Sequence, residues 1–146
     1  MARELEASAE RLILDSGAVI ALARSEQRAL AFLRRAIELD ADVVIPVVVL
    51  AETLRGGRTD AAVHRALNRV GEIEPTHPDV GRVAGRLLGA SRSNDTVDAM
   101  VVAEAVVRGG GQLLTSDPSD LRRLAASEAT LTIQPLAGHP ASRRRG

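Results

Sequence analysis

Residues Asn94–Leu121, NDTVDAMVVAEAVVRGGGQLLTSDPSDL, decide the fold. Val97, Met100, Val101, Ala105 and Val106 recur at helical spacing, with Asn94 or Thr96 available as the cap. RGGG then stops the helix, and QLLTSD is a run of strand length ending in Asp117. Pro118 opens a second, shorter helix, PSDLRRLAA. Helix, strand and helix in such quick succession are parts of a parallel sheet. Four aspartates stand at the ends of these apolar segments: Asp95 and Asp98 before, Asp117 and Asp120 after. Carboxylates so close to buried segments need either a local capping role or company.

The pattern repeats outward from this stretch. LILD (Leu12–Asp15) has strand length, and SGAVIALA behind it starts a helix that Arg24–Asp40 continues, with Leu30, Phe32, Leu33 and Ile37 on its apolar side. In DVVIPVVVLAETLRGG a β-branched run precedes Pro46, which suits a helix's first turn, and Gly56–Gly57 suit its end. Thr59–Val70 is amphipathic, GEIEPTHPDV reads as a short strand and loop, and Pro78 begins a helix to about Ala90. ATLTIQPL is the last strand. Strands alternating with helices predict an α/β fold with a mostly parallel central sheet covered on both faces. A single domain is expected over residues 1–136, with a polar tail lacking fixed structure over 137–146.

Composition narrows the function. Nineteen basic residues balance nineteen acidic ones, and every basic residue is arginine. Guanidinium forks suit phosphate. Without cysteine there are no disulfides, thiolate metal sites or cysteine nucleophiles. Phe32 is the sole aromatic of the Phe, Tyr and Trp class, so stacking bases on aromatic platforms is almost unavailable. No apolar run approaches the ~18 residues of a membrane helix. MARELEASAERL has no apolar leader core, so a cytoplasmic protein is expected. His64, His77 and His139 share no spacing and read as solvated.

In open α/β sheets, ligands bind outside the carboxyl ends of the strands. Asp15 ends the first strand and Asp117 the fourth expected one. Glu52 sits about two turns into the helix after the second strand, and Asp98 in the first turn of the helix before Asp117. A parallel sheet can bring all four to one edge. Each like-charge contact at about 4 Å would cost on the order of 4 kcal/mol at an effective dielectric near 20. A hard divalent cation relieves that repulsion, and an all-oxygen set without His or Cys fits Mg2+ or Mn2+. Such an ion can activate water and stabilise a phosphodiester undergoing displacement. Asp120 reads as a surface residue near that site.

At these residues the chain resembles the PIN-domain ribonucleases, and most closely the VapC-type toxins of bacterial toxin–antitoxin pairs. The matching pieces are LILDSGAVIAL, IPVVVLAETLRG, TVDAMVVAEAVVRGGGQLLTSDPSDL and the closing strand. The resemblance implies a PIN-like three-layer α/β/α sandwich, with Asp15, Glu52, Asp98 and Asp117 as catalytic metal-binding acids. Ser16 and Thr115 match the small hydroxyl residues beside them, and Asp95 a less regular accessory acid. Gly17 replaces a small polar residue common in relatives, and Leu121 a common aromatic. Magnesium-dependent cleavage of RNA, often tRNA or rRNA, by a homodimer is implied, as is a VapB-type antitoxin that inserts a segment into the acidic groove. Arg24, Arg55 and Arg92 lie near the loops expected to ring the acids and are the RNA-contact candidates. A non-catalytic PIN-like binding module and an RNA-processing nuclease that is not a toxin are the alternatives.

Overall fold

The computed structural model describes residues 11–71 and 73–137. Four strands form one sheet in the order β2-β1-β3-β4, every neighbouring pair parallel: β1 Arg11–Leu14, β2 Asp42–Val44, β3 Gly111–Thr115 and β4 Leu131–Pro135. Seven helices join and cover them: α1 Ser16–Ala23, α2 Gln27–Glu38, α3 Val47–Thr53, α4 Asp60–Val70, α5 Pro78–Ser91, α6 Thr96–Val107 and α7 Pro118–Leu124. The result is the expected three-layer α/β/α sandwich.

The central strands explain the apolar runs. Ile13 and Leu14 of β1 and Leu113 and Leu114 of β3 pair in register and are fully buried, because helices press on both faces. Helix α6 is as deeply seated: Ala99, Val101, Val102, Ala103 and Ala105 are fully buried. Such a helix is apolar nearly all round, and its burial rather than amphipathicity holds it. From β1 the chain steps to β2 on one side, then crosses back to β3 on the other. The switch point therefore lies between the carboxyl ends of β1 and β3, where such sheets open a crevice.

The three glycines Gly109–Gly111 do more than stop α6. All have positive φ, and a Cβ on Gly111 would stand 2.6 Å from the Arg11 carbonyl oxygen. They let the chain turn tightly and lay β3 against β1.

Several local expectations are corrected. SGAVIALA does not run on into Arg24–Asp40: α1 stops at Ala23, Ser25 takes a left-handed φ of 56°, and Glu26 N–H returns to the Ala21 carbonyl. The buried face of α2 is Ala29, Leu33 and Ala36, leaving Ile37 61% exposed. No strand forms at EIEP among the described residues, where Pro75 cannot donate to a ladder and Ile73 alone supplies an apolar face. Asp117 thus follows the third strand, not a fourth. Helix α3 ends before Gly56–Gly57, at Thr53. Residues 1–10 and the tail beyond Ala137, with His139, lie outside the described residues.

Candidate functional site

Four elements deliver acids to the crevice. Asp15 leaves β1 and caps α1, and it is only 6% exposed. Its Oδ1 accepts from the Ser16 N–H at 2.7 Å and its Oδ2 from the Thr115 hydroxyl at 2.8 Å. Wholly buried Thr115 ends β3, and its Oγ1 also accepts from the Asp117 N–H at 3.0 Å. One hydroxyl thereby joins the two strand ends on either side of the switch point. Asp117 is exposed, occupies the N-cap position of α7 without a side-chain capping bond, and lies close enough to raise the Asp15 pKa.

Asp95, rather than Asn94 or Thr96, caps α6: its Oδ1 accepts from the Asp98 N–H at 3.0 Å. Asp98 is half-buried in the first turn. Glu52, in the last turn of α3, turns toward the same place, and its Oε1 is buried with no hydrogen-bond partner. An orphaned carboxylate oxygen of this kind is rare and marks a group waiting for a ligand or a proton.

Electrostatics tie these side chains together. Burial pushes the Asp15 carboxyl up, against the backbone N–H of Ser16 and the Thr115 hydroxyl. Burial also raises Glu52, with the negative charges of Asp15 and Asp95 adding to it. Asp98 is pushed furthest, to about 7, by burial first and then by Asp95, Asp15 and Glu52. Ser16 offsets part of the rise at both Asp15 and Glu52. Asp95 thus stands near enough to both Glu52 and Asp98 to raise them. Asp120 is exposed and takes no part in these interactions.

The acids share a field without forming a finished cage. Among the described residues, no three acidic or histidine side chains stand close enough to hold a metal ion as they are placed. The donor set still fits a hard cation in chemistry, being oxygen alone with one buried oxygen unsatisfied.

The three arginines fall unevenly. Arg55 stands two residues past the end of α3 and its charge partly offsets the rise at Glu52. Arg24, at the end of α1, lines a groove of about 520 Å³ with Gly17, Ser116 and Leu136. Arg92 is exposed in a left-handed turn after α5. None forms an ion pair with a carboxylate among the described residues.

Two features here escaped the sequence reading. Gly17 packs so closely on the β3–α7 loop that a Cβ would stand 2.7 Å from the Ser116 Cβ, which accounts for glycine where a small polar residue is common. Asp60 is a buried acid outside the crevice, and its only signal in RGGRTD is an acid at a helix start.

Fold and site together define a class: a parallel α/β sandwich with an acid-lined crevice at its switch point. A family model described as the PIN domain matches residues 12–127, and the chain belongs to that family. PIN domains are generally nucleases that hydrolyse phosphodiester bonds, typically with divalent metal ions. No curated protein matches in sequence. Among solved structures, FitAcB from Neisseria gonorrhoeae is similar at TM-score 0.61 and 18% identity, over 86% of this chain and 97% of that one. FitAB bound to an IR36 DNA fragment is similar at TM-score 0.61 and 18% identity, over 88% and 99%. Likeness at that identity speaks for the fold. Among the described residues, no helix is long and apolar enough to cross a membrane.

Proposed function

We propose that the protein is a metal-dependent endoribonuclease, the toxin of a VapBC-type pair, with Asp15, Glu52, Asp98 and Asp117 as its metal-binding acids. The observation that carries this reading is the buried, unpartnered Glu52 Oε1 facing a half-buried Asp98 and a buried Asp15, with no arginine paired to any of them among the described residues. Family membership supports nuclease chemistry, and the ordered acids and the fold likeness support the toxin assignment.

Bound Mg2+ or Mn2+ would supply an activated water and neutralise charge building on the phosphate. The chain's own part is to hold the ligands. Thr115 fixes the Asp15 carboxylate and the Asp117 backbone at once, so these two acids start from a set separation. Asp95 pins the first turn of α6 and with it Asp98. Glu52, Asp98 and Asp117 would hold the ion together with Asp15, whose two carboxylate oxygens are both fixed by hydrogen bonds. Arg24, Arg55 and Arg92 are the candidates for contacts to RNA phosphates, tRNA or rRNA being the expected substrates. A VapB-type antitoxin would cover the crevice, and a homodimer is the expected assembly.

The test is a titration of the protein with Mg2+ or Mn2+, followed by thermal unfolding. At tenfold the dissociation constant, binding to the folded state alone adds about 1.4 kcal/mol. That corresponds to a rise of roughly 3–6 °C for a domain of this size. An unchanged melting temperature, with RNA cleavage undiminished in excess chelator, would overturn the metal-dependent reading. RNA binding without cleavage at saturating metal would favour a non-catalytic PIN-like module instead.

A further inference from the structure

Asp60 is buried to 8% exposure although the five residues before it, Arg55–Thr59, are all exposed. Its carboxylate faces back along the chain. Oδ1 and Oδ2 accept from the Arg55 N–H at 3.0 and 3.1 Å, and Oδ2 accepts from the Gly56 N–H at 2.6 Å. The loop is thus closed onto the start of α4 by one side chain.

What this closure holds is the end of α3. That helix has seven residues, no side-chain cap at its start, and carries Glu52 in its last turn. Isolated helices shorter than ~12–15 residues are marginal in water, so one this short depends on what grips its ends. Arg55 provides the grip. Its Nη1 donates to the carbonyls of Ala51 at 2.5 Å and Leu54 at 3.0 Å, satisfying acceptors that a helix end leaves open. Asp60 in turn fixes the Arg55 backbone.

We infer that Asp60 is a positioning residue: through Arg55 it clamps the end of α3 and thereby sets where Glu52 stands in the crevice. The inference rests on the reading of that crevice as a divalent-cation site. Asp60 touches no substrate and no ion. Of the four acids, Glu52 is the one whose helix the clamp's hydrogen bonds touch, since they run only to Ala51, Leu54, Arg55 and Gly56. A general loosening of the fold would have no such selectivity.

A double-mutant cycle separates the two, read by calorimetric titration with Mn2+ and by thermal unfolding. Asp60→Ala is expected to weaken Mn2+ binding about tenfold, the scale found when groups orienting a metal ligand are removed. Asp60→Asn keeps one acceptor oxygen and is expected to recover most of the loss. It also carries the comparison if the alanine variant does not fold. In a Glu52→Gln background the same Asp60 change is expected to leave Mn2+ affinity where Glu52→Gln put it, while still lowering the melting temperature. Equal losses of affinity with and without Glu52 would overturn the clamp as a positioning device, as would unchanged affinity in Asp60→Ala. If the wild type binds no Mn2+ and Glu52→Gln changes nothing, the metal reading itself falls and takes the inference with it.

Discussion

The two ends of the sheet treat buried acid in opposite ways. At the amino edge, Glu104 is 4% exposed and meets Arg108 Nε at 2.9 Å, while Arg108 Nη1 reaches Glu74 at 3.1 Å. Arg11 there pairs with Asp42 at 3.4 Å and donates to the Gly110 carbonyl. At the carboxyl edge, Asp15 is as deeply buried as Glu104, yet its partners are an N–H and a hydroxyl. Helix α6 touches both ends, with Asp98 in its first turn and Glu104 in its last. At the amino edge the buried acid has a guanidinium beside it, and at the carboxyl edge no crevice acid is ion-paired among the described residues. With nineteen arginines in the sequence, the lack of an ion pair at the crevice acids among the described residues reflects position rather than composition.

Neutralising one acid at each edge should therefore give opposite results. Asp15→Asn is expected to lower RNA cleavage by more than the ~10²-fold upper range seen for groups that merely support a ligand. Its melting temperature should hold or rise, because like-charge repulsion is relieved while the Thr115 bond can persist. Measured side by side, an unfolded Asp15→Asn with surviving cleavage would erase the contrast.

Glu104→Ala is the mirror experiment. Breaking a buried pair costs ~3–5 kcal/mol, and with Arg108 about one-fifth exposed the loss here should be nearer ~2–3 kcal/mol. Denaturant unfolding measures it, and activity per folded molecule should be unaffected. A Glu104→Ala protein as stable as wild type would mean the amino-edge pairing does not carry stability.

A smaller effect lies in pH. Asp98 rises from 3.8 to about 7 on folding, so between about pH 4 and 7 the folded chain holds a proton that the unfolded chain has released. Stability of the metal-free protein should accordingly fall as pH rises through that window. Asp60 has the contrary sign. The N–H groups of Arg55 and Gly56 hold its carboxyl below the usual value, and its contribution is lost only in stronger acid. Asp98→Asn should flatten the slope between pH 5 and 7 in thermal scans, and a slope that survives this change would assign it to other groups.

The sheet and its crevice were legible because their signals are local. Buried parallel strands such as LIL and QLLT must be continuous apolar runs, and an acid directly after one must stand at the carboxyl edge. Legibility failed where a decision is made through space. Ser93, Asn94, Asp95 and Thr96 can each cap a helix, and only the position of the Asp98 N–H selects Asp95. The break after α1 falls at Ser25, a residue that gives no glycine-like warning of a left-handed turn. Ile37 follows the helical period yet stays exposed among the described residues. Asp60 looks like any first-turn acid until the Arg55 and Gly56 amides are seen to fold back onto it.

The meeting of Gly17 with Ser116 carries a further consequence. The first turn of α1 and the loop leading to Asp117 touch with nothing between them but a hydrogen atom. A methyl group inserted there would act as a wedge, spreading the strand end that holds Asp15 from the loop that holds Asp117. Reacting groups displaced by about 1 Å can cost on the order of 10²-fold in rate. The gauge of the crevice is set at residue 17, by the smallest side chain available.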